Sequence, residues 1–305
     1  MATGRILTGT CSWTDPTLIA CGRFYPPRVT SAADRLRFYA DQFPIVEVDS
    51  TYYAPPSERN AHLWAERTPA DFTFNVKAFA LLTGHPAKLE RLPSPLRDLV
   101  PDAARAKRNI YLKDMPPHAV DLLWETHRAA LRPLHDAGKL GAVLFQFPPW
   151  FRRTPASADY VRRVPLELPD YQVAVEFRGG GWMDEDAAPA TLAMLERAGL
   201  AYVSVDEPQG FRSSTPPVAA ATADLAIVRL HGRNAATWEA HTGVASDRFN
   251  YLYSVAELNE WAPRIRRLAG AAPAVHVLFN NNYEDQGVVN ARRMAALLAD
   301  DRLSR

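Results

Sequence analysis

Ionisable and amide side chains recur in this sequence near the ends of short segments rich in β-branched and aromatic residues. Glu47 and Asp49 close one such segment, Asn75 and Lys77 a second, and Gln146 a third. Glu176 and Arg178, Ser204 and Asp206, Arg229 and His231, and His276 and Asn280 continue the series. Carboxylates placed this way can act as general base or acid, histidine can carry protons, and cations can hold developing negative charge. Arginine offers a planar fork suited to phosphate or carboxylate. Lysine is a compact cation or, with a lowered pKa, a base or amine nucleophile. Glu47, Lys77, Glu176, Asp206 and His231 are the expected catalytic groups. Trp13, Asp49, Tyr52, Asn75, Gln146, Arg178, Trp182, Arg229, Arg233 and Asn280 are the expected substrate-binding groups.

The segments that must position these groups number eight: RILTGTCSW, PIVEVDSTYY, FTFNVKAF, GAVLFQFP, YQVAVEFR, AYVSVDEP, LAIVRLHG and AVHVLFNN. Helical patterns lie between them at 32–42, 58–67, 119–137, 184–198, 256–268 and 290–298. Ser57 and Ser254 stand as N-caps, and Glu257 completes a capping-box spacing with Ser254. The stretch 152–169 is interrupted by prolines, and 208–224 reads mostly as loop. Strands alternating with helices predict a parallel sheet, and eight is the number that closes a (β/α)₈ TIM barrel. A doubly wound open sheet is the weaker reading, because GTCSW after the first strand is not a GxGxxG phosphate loop.

Alternate side chains of a strand point to opposite faces. One face is apolar throughout: Val46 and Val48, Phe74 and Val76, Val143, Phe145 and Phe147, Val173, Val175 and Phe177, Val203 and Val205, Val228 and Leu230, and Val275, Val277 and Phe279. That face is expected to meet the outer helices. The polar groups then look into the barrel, with the last of each strand at its C-terminal mouth, where active sites of this fold sit. A self-satisfied buried charge network is the alternative for single members, such as Glu176 with Arg178. For the whole ring a ligand site is favoured, since barrel interiors are ordinarily filled with Val, Ile and Leu.

At 305 residues and 47% hydrophobic composition the chain can bury a sizeable core, and one domain spanning 1–305 is expected. The connection 80–140 carries a proline-spaced excursion, a candidate lid or side excursion at one end of the barrel. A formal net charge of +1 gives no indication of broad nucleic-acid capture. A small-molecule or phosphate-containing substrate is the expected partner. The opening MATGRILTGT lacks a secretory layout and no apolar run spans a bilayer, so a cytoplasmic protein with no membrane partner is expected. Cys11 and Cys21 are expected reduced, with neither disulfide nor metal spacing. Oligomeric state is not written in the sequence.

The first functional expectation is a hydrolase-like enzyme for a polar anionic, phosphate-containing substrate, with no cofactor. The closest rival is a divalent-metal enzyme of the sugar-isomerase or phosphodiesterase/nuclease type, with Glu47, Asp49, Glu176, Asp206 and His231 as ligands. The absence of HExxH and of clustered His/Cys spacing, together with three cations offsetting the acids, counts against it. A retaining glycosidase is lowered because the fourth and seventh strands end in Gln146 and Arg229/His231. A Schiff base at Lys77 is a further option. A non-catalytic carbohydrate or nucleic-acid binder is the other class, with YYAPP and FPPWF as stacking surfaces.

Read in order, the motifs GTCSW, FYPP, EVDSTYYAPP, FTFNVKAF with TGHP, FQFPPWF, EFRGGGW, VRLHGR, YLYS followed by EL, and FNNNYEDQGVVNA resemble the YecE-like family, the domain of unknown function 72. The resemblance runs almost end to end and implies a TIM barrel, without implying a reaction. Three departures stand out. Asp49 replaces the asparagine of the family's Glu-x-Asn. Gly179 and Gly181 precede Trp182 where the family usually has a histidine and a Ser-Trp pair. The tryptophan common after the first-strand motif is missing from TDPTLIACGRF.

Overall fold

The structure is a computed structural model and describes residues 3–240 and 245–300. Eight parallel strands, paired in sequence order, close a barrel. They are β1 (Arg5–Thr10), β2 (Ile45–Val48), β3 (Thr73–Lys77), β4 (Leu140–Phe147), β5 (Val173–Phe177), β6 (Ala201–Asp206), β7 (Leu225–Leu230) and β8 (Ala274–Phe279). β8 closes on β1 along its whole length, from Arg5 opposite Ala274 to Thr10 opposite Phe279. The outer layer comprises α1 (Ala32–Ala40), α2 (Glu58–Glu66), α3 (Pro117–Asp136), α4 (Pro155–Glu167), α5 (Ala188–Arg197), α6 (Val255–Ala271) and α7 (Gln286–Ala299). The expected (β/α)₈ fold is the fold found.

Local chemistry accounts for the helix starts. Ser57 accepts from the Asn60 amide, and Ser254 with Glu257 forms the full capping box. The proline-interrupted stretch 152–169 does form a helix, α4. Pro155 sits in its first turn, where no N–H is needed, and Thr154 accepts from the Ser157 amide. Pro165 falls near its end, so little helix is left for it to disrupt.

Two apolar layers hold the barrel. Val46, Phe74, Val143, Val175, Val228 and Val277 pack outward against the helices, as the alternation predicts. Leu7, Ile45, Leu144, Ile227 and Leu278 fill the interior below the polar ring. β6 departs from the expected phase. Val203 and Val205 belong to the interior cluster, whereas Tyr202 joins the outer one. Ser204 and Asp206 therefore face outward. The chain between β6 and β7 crosses the strand as a loop, and Ser204 accepts from the Ala220 amide. The polar groups on the outer face are satisfied there, Ser204 by the loop amide and Asp206 by Tyr253 and Trp261.

The excursion after β3 is a side structure. Leu92, Leu96, Val100 and Ile110 are buried in the same core as Leu123 and Leu131 of α3, and Ala87 pairs with Ile110 across an antiparallel bridge. Among the described residues of the excursion, His85 alone reaches the mouth.

β4 carries a bulge against β3, where Phe74 pairs with Leu140 but Asn75 with Ala142. Gly141 takes the extra position. A Cβ there would stand 2.7 Å from Asn75 Oδ1 and 2.8 Å from His276 Cε1, inside the barrel. The bulge lets Val143 face outward and Gln146 inward. Gly141→Ala is expected to overpack this point and lower stability by about 1–3 kcal/mol, read as a lower urea midpoint. An unchanged midpoint would show that the interior has room there.

Candidate active site at the barrel mouth

Arg229, fully buried on β7, lies between two acids. Its Nη2 donates to Glu47 Oε1 at 2.6 Å and its Nη1 donates to Glu176 Oε2. Glu176 Oε1 also accepts from Gln146 Nε2 at 2.6 Å and from His231 Nε2 at 3.1 Å. Asn280 Nδ2 donates to His231 Nδ1 at 3.0 Å, so that nitrogen is the acceptor and Nε2 carries the proton. Arg178 extends the chain, with Nη1 3.4 Å from Glu176 and Nη2 3.3 Å from Glu207, its guanidinium 4.7 Å over the Trp238 ring. Burial alone would raise the Glu176 carboxyl, but Arg229, His231 and Arg178 hold it well below the usual range. Burial pushes His231 down to about 3, against the pull of Glu176, which keeps the imidazole neutral.

Above this network opens a cavity of about 810 Å³. Lys77, Arg178, Arg212, Arg229 and Arg248 line it, against the carboxylates of Asp49 and Glu239. Tyr52 and Tyr53 of YYAPP and Pro148, Pro149 and Trp150 of FPPWF form an aromatic and proline wall. Lys77 differs from Arg178 and Arg229, which are paired with acids. Its ammonium lies 4.6 Å over the Tyr52 ring and has neither an ion pair nor a hydrogen bond among the described residues. Burial and Arg229 lower its pKa, opposed by Glu47, Glu176 and Asp49. Burial raises Asp49 to about 7 despite Lys77, and raises Glu207 to about 7 despite Arg178.

The family model described as "Protein of unknown function DUF72" matches residues 7–304. The chain belongs to the DUF72 family. It is 31% identical over 297 residues to the UPF0759 protein YunF of Bacillus subtilis (strain 168), covering 96% of this chain and 94% of that one. Among solved structures it is similar to a DUF72 family protein of Thermotoga maritima MSB8, with TM-score 0.74, 28% identity and coverage of 97% and 99%. A DUF72 family protein of Enterococcus faecalis V583 superposes with TM-score 0.78 at 23% identity, covering 96% and 95%. None of these names carries an activity.

Two departures from the DUF72 pattern have a physical reading. Asp49, with a carboxyl neutral up to about 7, can present a donor much as an asparagine does. Gly179 has φ +70°, and a Cβ there would lie 2.4 Å from the Arg212 carbonyl oxygen. A side chain at that position would require the 206–225 connection to move aside, so the loop carrying Arg212 occupies space that a histidine would need.

Of the expected site residues, Asp49, Tyr52, Lys77, Gln146, Arg178, Arg229 and Asn280 line the cavity. Glu47, Glu176 and His231 lie beneath it, engaged with Arg229 and one another. Asn75 is deeper still, its Oδ1 accepting from His276 Nδ1. Four fall elsewhere. Trp13 packs edge-on against Trp64 and Phe74 in the outer core, and Trp182 stacks 4.3 Å from Phe177 there. Asp206 faces outward, accepting from Tyr253 Oη at 2.6 Å and Trp261 Nε1 at 2.9 Å, with Arg233 paired to it on the same side. Asp206 and Arg233 thus follow the reversed phase of β6 and fasten α6.

Glu207 takes the interior place assigned to Asp206, and only the opposite phase of AYVSVDEP would have found it. His85 was present in the TGHP motif without a strand to mark it. Arg212 and Arg248 come from loops, where no alternation reports direction.

A carboxyl raised in the folded state binds its proton more tightly than in the unfolded chain, so stability falls as pH rises from its ordinary value toward the raised one. For Asp49 that window runs from about 4 to about 7. Asp49→Asn removes the effect. Its urea midpoint, relative to wild type, is expected to rise steadily from pH 4 to pH 7 and level off above. A difference independent of pH would mean that Asp49 is not raised.

Proposed function

We propose that the mouth binds a polar anionic ligand of the phosphate-ester class and hydrolyses it. The observation that carries this reading is the excess of cations on one cavity, with the Lys77 ammonium left without an anionic partner. A partly buried cation with no ion pair is poorly compensated, and an incoming anion improves its compensation. Lys77, Arg178, Arg212 and Arg248 come from β3, the end of β5 and the connections after β6 and β7. A phosphoryl group among them meets positive charge from different elements, and its developing charge is stabilised without reorganisation.

In the hydrolytic step, water adds to phosphorus and the ester P–O bond breaks. Asp49, protonated up to about 7, supplies the proton to the leaving oxygen. The attacking water loses a proton to the resulting carboxylate, which restores the acid and leaves an alcohol and inorganic phosphate. Glu47 and Glu176 are positioning residues here, because both are engaged by Arg229. His231, with both nitrogens committed, likewise orients Glu176.

The divalent-metal reading fits the residues less well. The acids that would ligate the ion face Arg229 and Arg178, Asp206 points away, and among the described residues no three His, Cys, Asp or Glu side chains converge. No observation favours a sugar-isomerase or nuclease-like metal site over the anion site.

Calorimetric titration with inorganic phosphate tests the reading. Wild type is expected to bind, Lys77→Ala to bind at least about tenfold more weakly, and Lys77→Arg to keep part of the affinity. Equal affinity of Lys77→Ala and wild type would defeat the proposal. Turnover of a phosphomonoester panel that falls on Asp49→Ala, with phosphate affinity retained, separates the hydrolytic step from binding.

A further inference from the structure

His85 stands on the wall of the mouth, brought there by the short helical turn Ala80–Thr83 that follows β3. Its ring is wedged edge-on between Tyr52, with centroids 5.1 Å apart, and Trp150, at 5.5 Å. Its Nδ1 lies 2.9 Å from the Thr83 hydroxyl. That hydroxyl is also 2.9 Å from the Ala80 carbonyl oxygen, which can only accept. A hydroxyl has one proton, and here it goes to Ala80. Thr83 Oγ1 must therefore accept from His85, and Nδ1 carries the ring proton. Burial, with Lys77 and Arg178 nearby, lowers His85 to about 3, so the ring holds no second proton near neutrality. Nε2 is left as a bare lone pair, and it has no partner among the described residues.

Two other carboxylates near the cavity are already engaged. Glu176 is shared by Arg229, Gln146 and His231, and Glu239 accepts from Ser213. A lone pair repels the oxygens of an anion and attracts a neutral donor. We propose that His85 is a fixed-tautomer hydrogen-bond acceptor that selects ligands carrying a hydroxyl close to their anionic group, such as the phosphate ester of a polyol or sugar. The proposal rests on the anion-binding reading of the same cavity and narrows its substrate class. Lys77 and the arginines take the phosphate, and His85 takes the neighbouring hydroxyl.

Matched ligands separate the two readings. The two glycerol phosphates and their deoxygenated counterparts, propyl and isopropyl phosphate, are titrated into wild type, Thr83→Val and His85→Phe. Wild type is expected to prefer at least one glycerol phosphate over its counterpart by about 3- to 10-fold, the range of one neutral hydrogen bond. His85→Phe keeps the ring packing and is expected to lose the preference while binding the alkyl phosphates as before. Thr83→Val removes the acceptor that fixes the proton and is expected to weaken the preference. Long-range ¹H–¹⁵N spectra of wild type should show a protonated Nδ1 and a bare Nε2 at His85, and a mixed tautomer in Thr83→Val. Binding of all four phosphates without preference overturns the role of His85 and leaves the anion site standing. An Nε2-protonated ring in wild type also overturns it. Failure of every phosphate to bind overturns both.

Discussion

The pairing of Arg229 with Glu47 and Glu176 is the constraint on which the upper barrel depends. Three fully buried charged side chains from β2, β5 and β7 meet where a barrel of this kind ordinarily holds aliphatic residues. Desolvating them is expensive, and removing one partner from such a group costs about 3–5 kcal/mol because the others are left uncompensated. The network therefore contributes position more than stability. Gln146, His231 and Arg178 are each oriented by Glu176, and Asn280 by His231. The floor of the mouth is thus one connected hydrogen-bonded surface.

This rigidity is supported from outside. Asp206 gathers Tyr253 Oη, Trp261 Nε1 and Arg233, while the Gly232 amide donates to Tyr253 Oη. The turn directly after His231 is therefore fastened to α6 and to the segment before it. A carboxylate on the outer face thus helps to hold the imidazole in place. Fixed first-layer groups with fixed supports are what a preorganised polar site requires.

Most of the fold is legible in the sequence because period-2 alternation reports direction wherever one face meets helices. Phe74 and Val76 against Asn75 and Lys77 is the clearest instance, and Arg229 and His231 read equally well. The rule fails at β6, where a loop amide, Tyr253 and Trp261 satisfy polar groups on the outer face and the apolar side chains turn inward instead. The chemistry of Trp13 and Trp182 suits the mouth, but tryptophans beside barrel ends are as readily used as core, and these two are. Arg212, Arg248 and His85 lie on connections, whose direction is set by tertiary packing that no local pattern encodes. The floor of the candidate site is thus legible in the sequence and its rim is not.

The bulge at Gly141 divides β4 into two parts with different obligations. Below it, Leu140 answers to helix packing and to the turn from α3. Above it, Gln146 answers to the polar network. The extra residue absorbs the mismatch between the two, so the lower end can change its packing without rotating the upper end out of alignment. A strand built this way has separate histories available to its ends: the base of the barrel can drift with its helices while the mouth stays under its own selection.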